Sequence, residues 1–102
     1  MTYGVIVRHG EQNADYEEFR DLPSAEAYYK EKVSKMRQSR LPAPSRTDED
    51  AGKEIRIPVF IAFYRARCLR SYSVEDYRSY LSPATGEEVI EKVRVKIQLY
   101  QY

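Results

Sequence analysis

His9, the one imidazole, and Cys68, the one thiol, are the first candidates for nucleophilic or metal-binding chemistry in this chain of 102 residues. Together they cannot complete the tetrahedral set that structural zinc requires. Cys68 has no histidine near it in sequence to take its proton, so it reads as a buried structural thiol. Asp48, Glu49 and Asp50 bring carboxylates together, but a calcium loop alternates its acids around a central glycine and closes on a glutamate, and none of these is in register here. There is no glycine-rich phosphate loop, and no serine sits in a nucleophile-elbow context. No catalytic residue, metal or cofactor is expected.

The segment Val5-Ile6-Val7-Arg8-His9-Gly10-Glu11 resembles the opening signature of the histidine phosphatase (phosphoglycerate mutase-like) superfamily, in which a strand delivers Arg-His-Gly. The resemblance implies His9 as the group that takes up the phosphoryl and Arg8 as a clamp on its oxygens, a role suited to a planar guanidinium. That family also uses a second histidine from a distant segment, and this chain has only His9. Its α/β domain is considerably longer, with strands and helices alternating, whereas here three strand-like segments follow one helix. Phosphoryl transfer through Arg8-His9-Gly10 is therefore carried only as a remote alternative.

The richer signal is a set of arginines, lysines and tyrosines in the second half of the chain. If the late strands pair, one sheet face gathers Tyr64, Arg65, Arg67 and Arg70 with Arg94, Lys96, Gln98, Tyr100 and Tyr102. Arginine and tyrosine present large, rigid contact surfaces with polar ends, and they are enriched in interfaces. Arg65, Arg67, Arg70, Arg94, Lys96 and Tyr100 are accordingly the expected contact residues, with a protein as the first-choice partner. Nucleic acid is the alternative, since rings stack on bases and guanidinium groups meet phosphates. Against it stand the net charge of only +1 and the run from residue 11 to 26, where six acids face Arg20 alone. The function expected is that of a non-catalytic adaptor, inhibitor or regulatory subunit.

The elements that would position these residues follow from periodicity. Thr2 to Arg8 is β-branched, closes on Gly10 and reads as a first strand. Residues 11 to 23 are polar and acidic, with one helical turn around Tyr16 to Phe19. Ala25, Tyr29, Val33 and Met36 recur at helical spacing, predicting a helix from an N-cap at Ser24 to about Arg40. Residues 41–53 read as a flexible loop. Glu54 to Phe63 alternates as a strand in which Pro58 argues for an edge, and the change of parity after Phe63 predicts a bulge near Tyr64-Arg65. For residues 73–81 a strand is favoured over a short helix begun by Ser73 and Asp76. Val93 to Tyr100 predicts a long strand with one dry and one wet face. The result is an α+β fold: one two-layer domain, with one main helix on a mostly antiparallel four-stranded sheet in the order β-α-β-β-β.

Composition sets the outer bounds. At 42% hydrophobic and 13% aromatic the chain is too apolar to stay disordered, despite being 32% charged. No run approaches a membrane span, no signal peptide precedes the first strand, and an unpaired cysteine fits a reducing compartment, so a cytoplasmic location without membrane contact is expected. Homodimerisation is a third expectation, because the first strand and Ile55 to Phe63 are apolar on more surface than one helix covers.

Overall fold

The computed structural model describes residues 1–10, 13–38, 44–59 and 62–102. It contains strands β1 (Tyr3–His9) and β2 (Asn13–Phe19), helix α1 (Leu22–Gln38), and strands β3 (Ser45–Thr47), β4 (Glu54–Val59), β5 (Ala62–Leu81) and β6 (Glu88–Gln101). The strands form one antiparallel sheet in the order β2-β1-β6-β5-β3, with β4 also paired to β5. The α+β reading holds, with one helix packed on an antiparallel sheet, but among the described residues that sheet has six strands rather than four.

Two of the additional strands arise where sequence pattern is weakest. β2 carries Asp15, Glu17 and Glu18 and has no apolar alternation, so it reads as loop or helical turn; it forms because the turn at Gly10, φ 70°, lays it along β1. As an edge strand it needs only one neighbour, and its charges discourage a second. β3 is short and fully exposed, pairing Ser45–Thr47 with Tyr72–Val74 inside the span expected to be a flexible loop. Residues 41–43 and Arg40 lie outside the described residues.

The cap of helix α1 lies three residues before the expected one, and the helix runs over Leu22–Gln38. Asp21 accepts from the backbone N–H and the hydroxyl of Ser24, both at 2.9 Å, which makes Asp21 the N-cap and puts Ser24 inside the first turn. Ala25, Tyr29 and Val33 face the sheet and pack with Val5, Tyr72, Val74, Val95, Ile97 and Leu99.

The change of parity after Phe63 has a different cause from the bulge expected there. β4 and β5 are antiparallel with Val59 opposite Ala62, so the chain has reversed direction; Phe60 and Ile61 lie outside the described residues. Ile57 is buried opposite Tyr64, while Phe63 lies opposite Pro58 and stacks under Arg56 with 4.7 Å from guanidinium carbon to ring centre. Among the described residues Pro58 does occupy a strand bonded on one side only. The actual bulge falls between Cys68 and Arg70. It moves Tyr72 and Val74 to the helix side and Ser71 and Ser73 to the other, which no regular strand with this sequence would do.

The sheet coils so far that its second face closes over a core of its own. Ile6, Ile57, Ala66 and Tyr100 are buried there, with Ile55 and Tyr64 packed against them. Tyr64 from β5 donates to Glu18 on β2 at 2.8 Å, three strands away in the sheet order. Of the apolar surface on the first strand and Ile55 to Phe63 that suggested a homodimer, Ile6, Ile55 and Ile57 are covered within one chain, while Phe63 remains 55% exposed. Tyr100 lies across Gly4, its register partner, and a Cβ at position 4 would come within 2.3 Å of the phenol ring. Gly4→Ala should cost about 1 to 3 kcal/mol through overpacking against a ring with nowhere to retreat. Urea unfolding measures this, and unchanged stability would show that the ring is free to shift.

Candidate functional site

The six expected contact residues divide between the two sheet faces. Alternation along β5 sets Arg65 and Arg67 opposite to Tyr64, Ala66 and Cys68, and the bulge then leaves Arg70 beside the helix. Arg65 pairs with Glu54 at 3.2 Å, and Arg67 is exposed. Arg70 sits 3.5 Å from Asp48 and 5.5 Å above the Tyr29 ring. Arg94, Lys96 and Tyr100 belong to the other face, where Tyr100 is 0% exposed and fills the second core. Alternation ahead of the bulge already separates Arg65 and Arg67 from Arg94, Lys96 and Tyr100, and the bulge adds Arg70 to the side of Arg65 and Arg67.

On that second face most of the charges neutralise one another. Arg8 donates through Nε to Gln98 at 2.9 Å and through Nη2 to the carbonyl of Arg56 at 2.6 Å. Gln98, only 3% exposed, passes the chain on to Asp50 at 3.0 Å, and Asp50 also accepts from Lys96 at 3.1 Å. Glu49 accepts from Ser73 at 3.1 Å and lies 3.5 Å from Lys96. Arg94 reaches Glu49 at 3.8 Å and Glu75 at 3.7 Å, while Lys92 meets Glu75 at 2.8 Å. Asp48 holds the acidic turn in place at φ 56°, accepting from the backbone N–H of Ser71 at 3.0 Å. The carboxylates of residues 48–50 thus serve as partners to strand cations. Among the described residues no cluster of three or more histidine, cysteine, aspartate or glutamate side chains is arranged to hold a metal.

Arg8 and His9, adjacent in a strand, leave opposite faces of β1 and do not converge on one point. Arg8 is spent on Gln98 and Arg56, whereas His9 borders a groove of about 390 Å³ with Asp15, Tyr28 and Lys32. Cys68 is buried, its thiol donating to the carbonyl of Arg70 at 3.3 Å. Burial, reinforced by the charges of Asp50 and Asp48, pushes its pKa up to about 12, so it stays a neutral thiol at physiological pH.

Sequence reasoning missed the most exposed apolar feature. β5 and β6 remain paired as far as Leu81 opposite Glu88, but β1 stops at His9 opposite Val95 and β3 stops opposite Val74. Beyond those points, among the described residues, the two strands continue as a ribbon without a third strand, and they turn over through Ser82–Glu87. Tyr77, Leu81 and Ile90 share one side of this arm, with Tyr80 and Val89 on the other. Tyr77, Tyr80, Leu81 and Ile90 are 64, 48, 70 and 69% exposed. The alternation Tyr77-Ser79-Leu81 was a usable signal, but a capping-box reading of Ser73 and Asp76 competed with it. With this geometry in hand, comparison with known proteins adds nothing: no family model matches the chain, and no curated protein or solved structure is significantly similar to it.

The polar face carries a pH signature. Burial favours the neutral form of Asp50, but the hydrogen bonds from Lys96 and Gln98 and the charges of Lys96 and Lys53 outweigh it and lower its pKa. A carboxyl lowered in the folded state stabilises the fold at neutral pH, and that contribution is lost as pH falls through the folded value. Stability should decline below about pH 4, and Asp50→Asn should lower neutral-pH stability while making the acid decline shallower. Denaturant midpoints measured against pH test this, and parallel curves for the two proteins would refute it.

Proposed function

We propose that this protein acts without catalysis, as an adaptor, inhibitor or regulatory subunit that grips a protein partner with its β5–β6 arm. The observation that carries the reading is the ribbon itself, which extends past every other described strand while bearing exposed tyrosine, leucine and isoleucine. A two-stranded ribbon is at best marginally stable alone in water, and its outer edges present unpaired backbone groups. A partner that adds a strand to an edge, or receives the apolar side chains in a cleft, relieves both deficits. Tyr77, with its apolar ring and polar tip, and the large apolar Leu81 and Ile90 supply the anchors.

Of the six residues expected from sequence, Arg94 stands at the root of the arm, tied to Glu75 beside the Lys92–Glu75 pair. Exposed ion pairs of this sort add little affinity but orient an approaching surface. A protein partner is favoured over nucleic acid because the arm mixes Glu75, Glu88 and Glu91 with its cations rather than presenting one sign. No helix among the described residues is long and apolar enough to cross a membrane, and the buried Cys68 thiol fits the cytoplasm.

The test is affinity capture from source-cell lysate with the native chain and with Tyr77→Asp combined with Ile90→Asp, with and without nuclease. Both positions are exposed, so folding stability should change by no more than about 0.5 kcal/mol. Partner retention should be indifferent to nuclease and drop about a hundredfold or more in the double variant, as expected when central anchors are lost. Retention that survives the double variant, or that disappears with nuclease, would overturn the proposal.

A further inference from the structure

Helical spacing places Lys30, Val33, Ser34, Arg37 and Gln38 along one side of α1, and these residues form one wall of a groove of about 420 Å³. Thr47, Arg70 and Tyr72 form the other wall, with Tyr29 in the floor. The two walls are locked together by a reciprocal exchange. Arg37 from the helix lies 5.1 Å above the ring of Tyr72 on the sheet, and Arg70 from the sheet lies 5.5 Å above the ring of Tyr29 on the helix. Both rings are buried, so each offers its guanidinium a face held in place by the core. The bulge after Cys68 creates this arrangement, because without it Arg70 would point to the opposite face.

The charges lining the groove have one sign. Lys30, Arg37 and Arg70 contribute three cations, and no carboxylate is among the lining residues. The opposing charge is Asp48, 3.5 Å from Nε of Arg70. The C-terminus of the helix adds roughly half a negative charge. Three cations still exceed both. Hydroxyls from Ser34, Thr47 and Tyr29 supply neutral donors, and the Tyr29 hydroxyl stays protonated, burial with the Asp48 charge having pushed its pKa up to about 12. The groove beside β2 differs, since Asp15 there opposes Lys32 and Lys35.

We propose that the groove between α1 and β5 is a binding site for a phosphate monoester, its dianion held between Arg37 and Arg70 with Lys30 as the third cation. Planar guanidinium groups bind phosphate oxygens in pairs, and two of them fixed on facing walls satisfy the geometry that flexible lysines on an open surface do not. The volume lies in the range of small-molecule sites, roughly 300 to 1,000 Å³, and exceeds what a bare phosphate fills. The remainder, beside Val33 and the Gln38 amide, takes the esterified organic group. This site is separate from the arm and does not depend on it.

The experiment is a titration of the isotope-labelled full chain with phenyl phosphate, inorganic phosphate and phenol, followed by amide and arginine side-chain shifts. Phenyl phosphate should give saturable shifts confined to residues 29–38, 47, 48 and 70–72; inorganic phosphate should bind the same place more weakly, and phenol should do nothing. Arg37→Gln with Arg70→Gln should weaken binding about tenfold or more, in keeping with the loss of two charged hydrogen-bond donors. If that pair fails to fold, Lys30→Gln, which is exposed, decides instead: it should weaken binding severalfold while Lys35→Gln, in the other groove, leaves it unchanged. Shifts spread evenly over the surface lysines and arginines, equal effects of Lys30→Gln and Lys35→Gln, or shifts with phenol alone would overturn the assignment.

Discussion

Everything in this molecule hangs on the pairing of β5 with β6, which runs from Arg67 opposite Gln101 to Leu81 opposite Glu88. At about 3.3 Å per residue, this ladder is longer than the helix or the neighbouring strands can cover. Its first half is crossed by α1 on one side and by the β4 hairpin on the other, and it provides residues for both cores. Among the described residues its second half has no such cover, and the molecule measures 50 Å in its longest dimension against 20 Å in its shortest. The arm is the part of the ladder left over after the cores are complete.

The bulge at Leu69 decides how that ladder is read by its surroundings. By shifting one residue it turns Tyr72 and Val74 onto the helix, gives Ser71 and Ser73 to the acidic turn, and moves Arg70 away from Lys96 and Arg94. A strand with a buried polar side needs every polar group partnered, because an unsatisfied one costs about 1 to 3 kcal/mol. The turn at residues 48–52 meets that need by delivering Asp48, Glu49 and Asp50 to the serines, Lys96 and Gln98. A stretch that reads as a solvated loop is in this way a set of counterions for the sheet.

Elements with a strong period were legible in the sequence. The helix face of Ala25, Tyr29 and Val33, the β-branched first strand, and the alternation from Val93 to Leu99 each point to one element, and each forms where expected. What was not legible depends on relations between segments. β2 has no pattern of its own because, among the described residues, it is an edge strand paired with β1, and the reversal after Val59 resembles a bulge because both change parity by one. The expected contact set failed to gather on one face because its side depends on register: Arg67 pairs with Gln101 and Cys68 with Tyr100, which puts Arg65 and Arg67 on the face opposite to Lys96 and Tyr100, and the bulge brings Arg70 to the same side as Arg65 and Arg67. Tyr100 illustrates a different limit, since nothing local says that Gly4 will leave room for its ring.

The central claim is that residues 76–81 and 88–93 form a free-standing ribbon whose outer edge is available to a partner, Arg94 being where the carbonyl still accepts from Gly10. Amide hydrogen exchange on the isolated chain addresses it residue by residue. Alternating behaviour is predicted along 88–93, with inward-pointing amides protected by the cross-strand ladder and outward-pointing ones exchanging at near-coil rates. Uniform protection would mean that the edge is already occupied, and uniform rapid exchange would mean that the ribbon does not form; either result contradicts the account.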